Sequence, residues 1–367
     1  MINKERMLKN FLEFVQINSE TKDEFTFMQH IIGYIEKLGL SYSIDDAGSK
    51  CGSNGNNIYV TIPGNEKESI LLSAHLDTVK PGLGIIPEVI NDIVVSKSDT
   101  ILAGDDKAGI AIILEAVQTI LEQKLNSRPI ELLFTIYEEG GLYGARNAKY
   151  DLIKSKHAII FDVGGLTNKI VNQAPAQFNL LVKIIGKPSH AGGEPEKGIN
   201  ALTVASRAIQ NMRLGRIDSE TTANIGVVTG GLATNIVMPD VTLNCEARSL
   251  DNSKLKKQVQ HMEDTFKEAV EHYGAELDIK ITNLYSAHQT DKNHPFALEV
   301  KSIMETFMDD VEFVKAGGGS DGNIFATKGI KCLLISAGLN KPHTLEEYVD
   351  IKTMNNSTEF LIKYLTN

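Results

Sequence analysis

The sequence has few cysteines, no tryptophan and no long apolar run, and these absences exclude whole classes of protein. Its three cysteines, Cys51, Cys245 and Cys332, lie far apart with no C-x-x-C pair, so we expect neither a disulfide framework nor a thiolate metal site. No run of about 18 apolar residues is present, so we expect no membrane partner. The first residues, MINKERMLKNFLEFVQ, carry charges where a signal peptide needs an apolar segment, and we therefore expect a cytoplasmic protein.

Positive charge is also scarce. Lysine and arginine number 37 against 47 aspartates and glutamates, which gives a net charge of −10 at pH 7. A chain without a basic surface is poorly suited to hold a phosphate backbone, so nucleic acid is not an expected partner. The remaining composition, 42% hydrophobic and 23% charged over 367 residues, is that of an ordinary globular protein long enough for two domains.

The spacing of apolar residues divides the chain into two patterns. Helical periodicity at the N-terminus precedes an alternation of buried strands and helices, which predicts a mixed, largely parallel α/β sheet. The order then changes to β-α-β-β-α-β, the ferredoxin-like unit, before the first pattern resumes. We therefore predict a discontinuous α/β domain, residues 1–176 and 288–367, that carries an inserted ferredoxin-like α+β domain, residues 177–287.

Histidines and acidic residues cluster where strands of the first domain end. They are His75, Asp77, Asp105, Asp106, Glu138, Glu139, Asp162 and His343. Each alone has an ordinary explanation: a structural histidine, a helix N-cap, a solvated glutamate pair. Together, acids crowded at the edge of an apolar sheet need compensating positive charge, and no lysine or arginine cluster supplies it. The pattern therefore predicts one or two divalent cations.

The donor types indicate which cations. Two imidazoles with carboxylates suit Zn²⁺ or a neighbouring first-row ion such as Co²⁺ or Mn²⁺ better than Mg²⁺ or Ca²⁺. His75 would be a ligand, and Asp77, two residues on, is placed to hydrogen-bond the other nitrogen of its ring.

A series of short motifs runs along the chain in this order: HLDTVKPG, GDDKAGIA, YEEGGLYGAR, FDVGG, PSHAGGEPEKGINA, GGLATNIVMPD, GGGSDGNIF and KPHTLEEYVDI. In these motifs and their order the sequence resembles the di-zinc exopeptidase superfamily of peptidase T, glutamate carboxypeptidases and aminoacylase, and most of all the peptidase T-like tripeptidases. The resemblance covers essentially the whole chain.

The resemblance implies a role for each residue of the cluster. His75 and Asp162 would hold one metal ion, Glu139 and His343 the other, and Asp105 would bridge the two. Asp77 would orient His75, and Glu138 would be the general base that takes a proton from water and returns it to the leaving amine. The choice of Asp105 over Asp106 comes from the alignment of motifs alone.

The resemblance also implies substrate-binding residues in or near the insert, which would act as a lid and a homodimer surface. His190 would stabilise the oxyanion, and Asn235 and Arg248 would hold the substrate, although Arg248 alone could be an ordinary surface strand residue. Gly318 and Gly319 lie in AGGGSDGN, which lacks the Lys-Ser/Thr pair of a phosphate-binding loop. We therefore expect a substrate-binding turn there.

The predicted function is a cytoplasmic, metal-dependent exopeptidase that cleaves the N-terminal amide bond of short peptides. An N-acyl amino acid deacylase or carboxypeptidase uses the same chemistry and remains the alternative. A non-catalytic peptide-binding relative would have lost the base or a ligand, and all of these residues are present. A nucleotide-binding α/β protein would need a phosphate-loop motif that the sequence lacks.

Overall fold

The computed structural model describes residues 2–367. The helices are α1 (Lys4–Val15), α2 (Phe25–Lys37), α3 (Ala47–Cys51), α4 (Gly104–Gln123), α5 (Tyr143–Asn147), α6 (Ala201–Asn211), α7 (Asn252–Tyr273), α8 (Pro295–Met304), α9 (Asp321–Thr327) and α10 (Ile351–Thr366). The strands are β1 (Tyr42–Ile44), β2 (Ile58–Ile62), β3 (Ile70–His75), β4 (Pro87–Ile90), β5 (Ile93–Ser96), β6 (Ile130–Thr135), β7 (His157–Ile160), β8 (Lys169–Ala174), β9 (Ala176–Ile185), β10 (Gly215–Arg216), β11 (Thr221–Gly230), β12 (Asp240–Ser249), β13 (Glu276–Tyr285), β14 (His288–Gln289), β15 (Glu312–Lys315), β16 (Lys331–Ile335), β17 (Leu339–Asn340) and β18 (Tyr348–Asp350).

The large sheet has the order β1-β2-β6-β3-β7-β16-β8-β14, with β15 also paired to β8. Its centre, β6-β3-β7-β16, is parallel, whereas β2 pairs antiparallel with β6 and β8 antiparallel with β16. Every residue of β3 and β6 is buried, as expected for parallel strands covered on both faces. The predicted mixed, largely parallel sheet is confirmed.

The five-stranded sheet has the order β10-β11-β12-β9-β13 and is antiparallel throughout. With α6 and α7 it forms the predicted β-α-β-β-α-β unit. Along β9, Leu180, Val182 and Ile184 are buried and alternate with exposed residues, because one face of the sheet packs against the two helices. These residues belong to a separate apolar core with Val204 and Phe266.

The chain separates into two compact units. The smaller comprises Ala174–His288 and Gly317–Gly319, and the larger comprises the residues up to Gln173 with Gln289–Ala316 and Ser320–Asn367. The larger unit also contains a four-stranded sheet, β17-β18-β5-β4, that the sequence patterns did not predict. None of the helices within residues 2–367 has the length and apolar character needed to span a lipid bilayer.

Candidate metal centre

The parallel centre of the large sheet positions most of the predicted ligands. His75 is the last residue of β3, Asp162 follows β7, and Glu138 and Glu139 follow β6. Neighbouring parallel strands end at the same edge of a sheet, and ligand sites form at that edge. Asp105 comes from the start of α4, where Asp105 and Asp106 are not yet helical. His343 lies between β17 and β18.

The carboxylate of Asp105 lies between the two histidines. Its Oδ1 is 3.2 Å from Nε2 of His75, and its Oδ2 is 3.3 Å from Nε2 of His343. His343 Nε2 is also 2.9 Å from Oε1 of Glu139, and His75 Nε2 is 3.8 Å from Oδ1 of Asp162. The structure thus brings together the five residues predicted as metal ligands, with Asp105 in the middle.

Asp106 takes a different position from Asp105. Its Oδ2 accepts a hydrogen bond from the main-chain N–H of His75 at 3.3 Å, and its Oδ1 is buried without a partner among the described residues. Ligand atoms of His75, Asp106 and Asp162 nevertheless lie within 4.8 Å of one another, as do those of His75, Asp105 and Glu139. The preference for Asp105 as the shared ligand therefore remains a prediction, favoured by its contacts with both histidines.

The electrostatics fit divalent cations. Burial, reinforced by neighbouring carboxylates, raises the pKa of Glu138 and of Asp162 well above their usual values, and burial also raises the pKa of Asp106. Although burial opposes it, the hydrogen bonds from His343 and His75 hold the pKa of Asp105 below its usual range. Within residues 2–367 the ion pairs of Asp105, Glu139 and Asp162 are with His75 and His343. Such an accumulation of buried acids is stabilised when cations bind.

The predicted contact between Asp77 and the His75 ring is made by the main chain of Asp77. Nδ1 of His75 lies 2.8 Å from the main-chain oxygen of Asp77 and 3.6 Å from its Oδ1. The carboxylate instead accepts hydrogen bonds from the N–H of Glu138 at 2.8 Å, from the N–H of Glu139 at 3.2 Å and from Oγ1 of Thr21 at 2.8 Å. The main chain of Asp77 therefore orients the histidine, and its side chain positions the glutamate pair.

Two further residues, which the sequence analysis missed, extend this arrangement. The N–H of Ile136 donates to Oδ1 of Asn57 at 3.0 Å, and the N–H of Tyr137 donates to Oε1 of Glu24 at 3.1 Å. Both acceptor residues are fully buried. Four consecutive N–H groups, 136–139, thus donate to buried side-chain oxygens, which restricts the movement of the Glu138 segment. No local sequence signal could have identified Glu24 or Asn57, because each lies far from Glu138 in the chain.

The predicted substrate-binding residues all belong to the smaller unit. Nδ1 of His190 accepts hydrogen bonds from the N–H groups of Gly192 and Gly193 at 3.2 and 3.0 Å. An accepting Nδ1 leaves the proton of the neutral ring on Nε2, where it can be donated. Asn235 lies beside His190, since its main-chain oxygen accepts from the N–H of Ala191 at 2.9 Å.

The guanidinium group of Arg248 forms an ion pair with a carboxylate of the same strand, β12. Its Nε and Nη2 lie 3.2 and 2.9 Å from the two carboxylate oxygens of Glu246. A Cβ on Gly318 would lie 3.7 Å from Nη1 of Arg248, and a Cβ on Gly319 would lie 2.3 Å from Cζ of Tyr285. The glycines therefore lie close to Arg248 and Tyr285, and Gly319 has no room for a side chain.

Comparisons with known proteins agree with this fold and donor set. Family models match two parts of the chain: the peptidase dimerisation domain matches residues 167–274, and peptidase family M28 matches residues 57–188. The YqjE protein of Bacillus subtilis (strain 168) is 37% identical over 363 residues, which cover 99% of this chain and 98% of that protein.

Two crystal structures are similar over the full length. A tripeptidase from Staphylococcus aureus has a TM-score of 0.95 at 34% identity, and aminopeptidase PepT from Bacillus cereus has a TM-score of 0.90 at 35% identity. Each alignment covers 100% of this chain and 98% of the other. Fold, site and comparisons define a metal-dependent peptidase. The chain belongs to the di-zinc exopeptidase superfamily, close to peptidase T, as its motifs predicted.

Proposed function

We propose that the protein is a zinc-dependent aminopeptidase that removes the N-terminal residue of tripeptides and similar short peptides. The observation that carries the proposal is the asymmetry of the glutamate pair. Glu139 contacts His343 at 2.9 Å, whereas within residues 2–367 Glu138 forms no ion pair with either histidine. This asymmetry supports a proposal in which Glu139 is the ligand and Glu138 carries the proton.

In the proposed centre, His75 and Asp162 hold one ion, Glu139 and His343 hold the other, and Asp105 is shared. The donor set of imidazoles and carboxylates supports Zn²⁺. When bound, such ions lower the pKa of water and polarise the amide carbonyl. Everything else in the reaction is assigned to side chains of the protein.

Glu138 moves the proton. Its carboxylate removes a proton from water and then, as the carboxylic acid, donates it to the nitrogen of the leaving amine. Asp77 holds the main chain at Glu138 in place, so the carboxyl group needs little reorganisation during transfer.

In this proposal, residues of the inserted domain, 177–287, bind the substrate. His190 donates a hydrogen bond from Nε2–H to the carbonyl oxygen of the substrate as negative charge develops there. The N–H groups of Gly192 and Gly193, which donate to Nδ1, support this role because they keep the proton of the neutral ring on Nε2. Arg248 and Asn235 bind the peptide, with the Gly318–Gly319 turn beside them. The match to a peptidase dimerisation domain supports a homodimer formed through this insert, which analytical ultracentrifugation would test.

The experiment compares zinc-loaded and chelator-treated enzyme on trialanine, N-acetyl-trialanine and trialanine amide, with products identified by mass spectrometry. We expect only the loaded enzyme to release alanine from the N-terminus of trialanine and its amide, and acetylation to block cleavage. Preference for the acetylated peptide would refute aminopeptidase specificity and indicate the deacylase or carboxypeptidase alternative. Equal activity after metal removal would refute the metal-dependent mechanism.

A further inference from the structure

Glu347 is a buried carboxylate that the proposed mechanism does not use. It lies four residues after His343 and is 2% exposed. Its Oε2 accepts hydrogen bonds from the N–H groups of Leu102 and Ala103 at 2.8 and 3.0 Å, and its Oε1 accepts from the N–H of Asp105 at 3.1 Å. Both oxygens of one side chain are therefore occupied by the main chain that leads into Asp105.

The segment 102–105, which donates these three hydrogen bonds to Glu347, has an unusual backbone conformation. Ala103 has a left-handed backbone with φ of 59°, a conformation that non-glycine residues rarely adopt. A Cβ on Gly104 would lie 2.4 Å from Cγ2 of Val349 and 3.1 Å from Oε1 of Glu347. The segment is thus packed tightly against residues 347–349, and Glu347 supplies acceptors for its otherwise buried donors.

The same side chain connects this segment with the one that carries His343. The N–H of Glu347 donates to the oxygen of Thr344 at 3.1 Å, next to His343. The His343 side chain is 51% exposed, so packing around the ring does little to fix its position. Its contact with Asp105 at 3.3 Å therefore depends on how the two segments are held together.

We propose that Glu347 is a positioning residue of the metal centre, which sets the distance between Asp105 and His343 and thereby the affinity for the ion held by Glu139 and His343. The inference rests on the proposed ligand assignment. His75 and Asp162 follow adjacent strands of the sheet and do not depend on Glu347. Because Asp105 is shared, loss of Glu347 affects both ions, but it weakens the ion held by Glu139 and His343 more than the ion held by His75 and Asp162.

The test is Glu347→Gln, with Glu346→Gln as the matched control. The glutamine amide can accept hydrogen bonds on one side only, so one set of N–H donors meets an NH₂ group. Glu346 is its neighbour, has a side chain 74% exposed, and pairs with Lys341 on the surface. Zn²⁺ is titrated calorimetrically into chelator-treated wild type and both variants, and kcat and KM for trialanine are measured at low and high Zn²⁺.

For Glu347→Gln we expect one ion to bind roughly 10- to 100-fold more weakly, the usual effect of removing a group that orients metal ligands. The other ion, whose ligands His75 and Asp162 keep their positions, is weakened less. At low Zn²⁺ kcat falls, KM stays near the wild-type value, and excess Zn²⁺ restores kcat, which a general loss of stability would not produce. Glu346→Gln matches the wild type in each measurement.

Two tight sites in Glu347→Gln, or equal weakening in both variants, would overturn the inference. A wild type that binds fewer than two ions would instead refute the proposed centre, and the inference with it. If Glu347→Gln does not fold, Glu347→Asp gives the same comparison, because it keeps the charge but withdraws the carboxylate by one methylene. We expect Glu347→Asp to weaken the same ion more than the other, and unchanged binding there would also overturn the inference.

Discussion

Replacing Glu138 by glutamine removes the proposed proton carrier while leaving its surroundings almost unchanged. Glutamine has nearly the same volume, and the hydrogen bond from residue 138 to Asp77 involves only the main-chain N–H. The ion pairs to His75 and His343 come from Asp77, Asp105, Glu139 and Asp162, none of which is altered. We therefore expect a folded protein with normal metal content and very low turnover.

The magnitude follows from the two steps that the proposed mechanism assigns to Glu138. A positioned general acid or base contributes roughly 10²–10⁴ to the rate, which corresponds to about 3–5 kcal/mol of activation free energy. Because one carboxyl group serves both proton transfers, we expect a fall in kcat towards the upper end, about 10³- to 10⁴-fold, with KM for trialanine little changed. The assay combines steady-state kinetics with metal analysis by mass spectrometry.

The matched control is Glu139→Gln, one residue away. Because Oε1 of Glu139 contacts His343 at 2.9 Å, this variant should lose affinity for one ion, and excess metal should partly restore its turnover. The reverse pattern, metal loss in Glu138→Gln and two tight sites in Glu139→Gln, would show that the two roles are exchanged. Wild-type turnover in Glu138→Gln would refute its role as the base.

Three further predictions concern other residues. Burial lowers the pKa of His288 from 6.5 to about 4. Between pH 6.5 and pH 4 the imidazole of His288 is therefore protonated in the unfolded chain but not in the folded one, so the folded protein loses stability as the pH falls through this range. In urea titrations at pH 7 and 4, His288→Phe should therefore lose less free energy of unfolding than the wild type, by up to about 3 kcal/mol, and equal losses would contradict this. Gly319→Ala places a methyl group 2.3 Å from Cζ of Tyr285 and should cost about 1–3 kcal/mol in thermal unfolding, whereas Gly317→Ala, which meets nothing within 4 Å, should be neutral; similar melting temperatures would argue against a close-packed turn. His190→Ala should retain metal and fold but lower kcat, because the Nε2 donor is lost, and unchanged kinetics would remove it from the mechanism.

Several elements could be predicted because their pattern is local. Helical periodicity predicted a helix at the N-terminus, and it is observed as Lys4–Val15, since its buried residues Met7, Phe11 and Phe14 recur at helical spacing. The β-α-β-β-α-β order of the insert could also be predicted, because apolar residues repeat at strand spacing in its strands and at helical spacing in its helices. The four-stranded sheet was missed because its strands are short and none of them has more than one buried residue, which leaves a weak alternation.

The candidate site was predictable to the same extent. Histidine and carboxylates after strands indicate ligands, because parallel strands end together at one edge of a sheet. The particular atom of Asp77 that contacts the His75 ring could not be read from spacing, since the main-chain oxygen and the carboxylate are both within reach of a residue two positions away. Only the backbone path decides between them.

The sequence by itself determined the types of residue at the strand ends and the chemistry that those types can perform. It also determined the family, since the motifs recur in order along the whole chain. The tertiary structure alone decided which main-chain donors meet which buried carboxylates: Glu24 with Tyr137, Asp77 with Glu138 and Glu347 with Asp105. The physical reason is that a hydrogen bond to an N–H group depends on where the chain passes and not on the side chain of the donor, so no residue pattern records it.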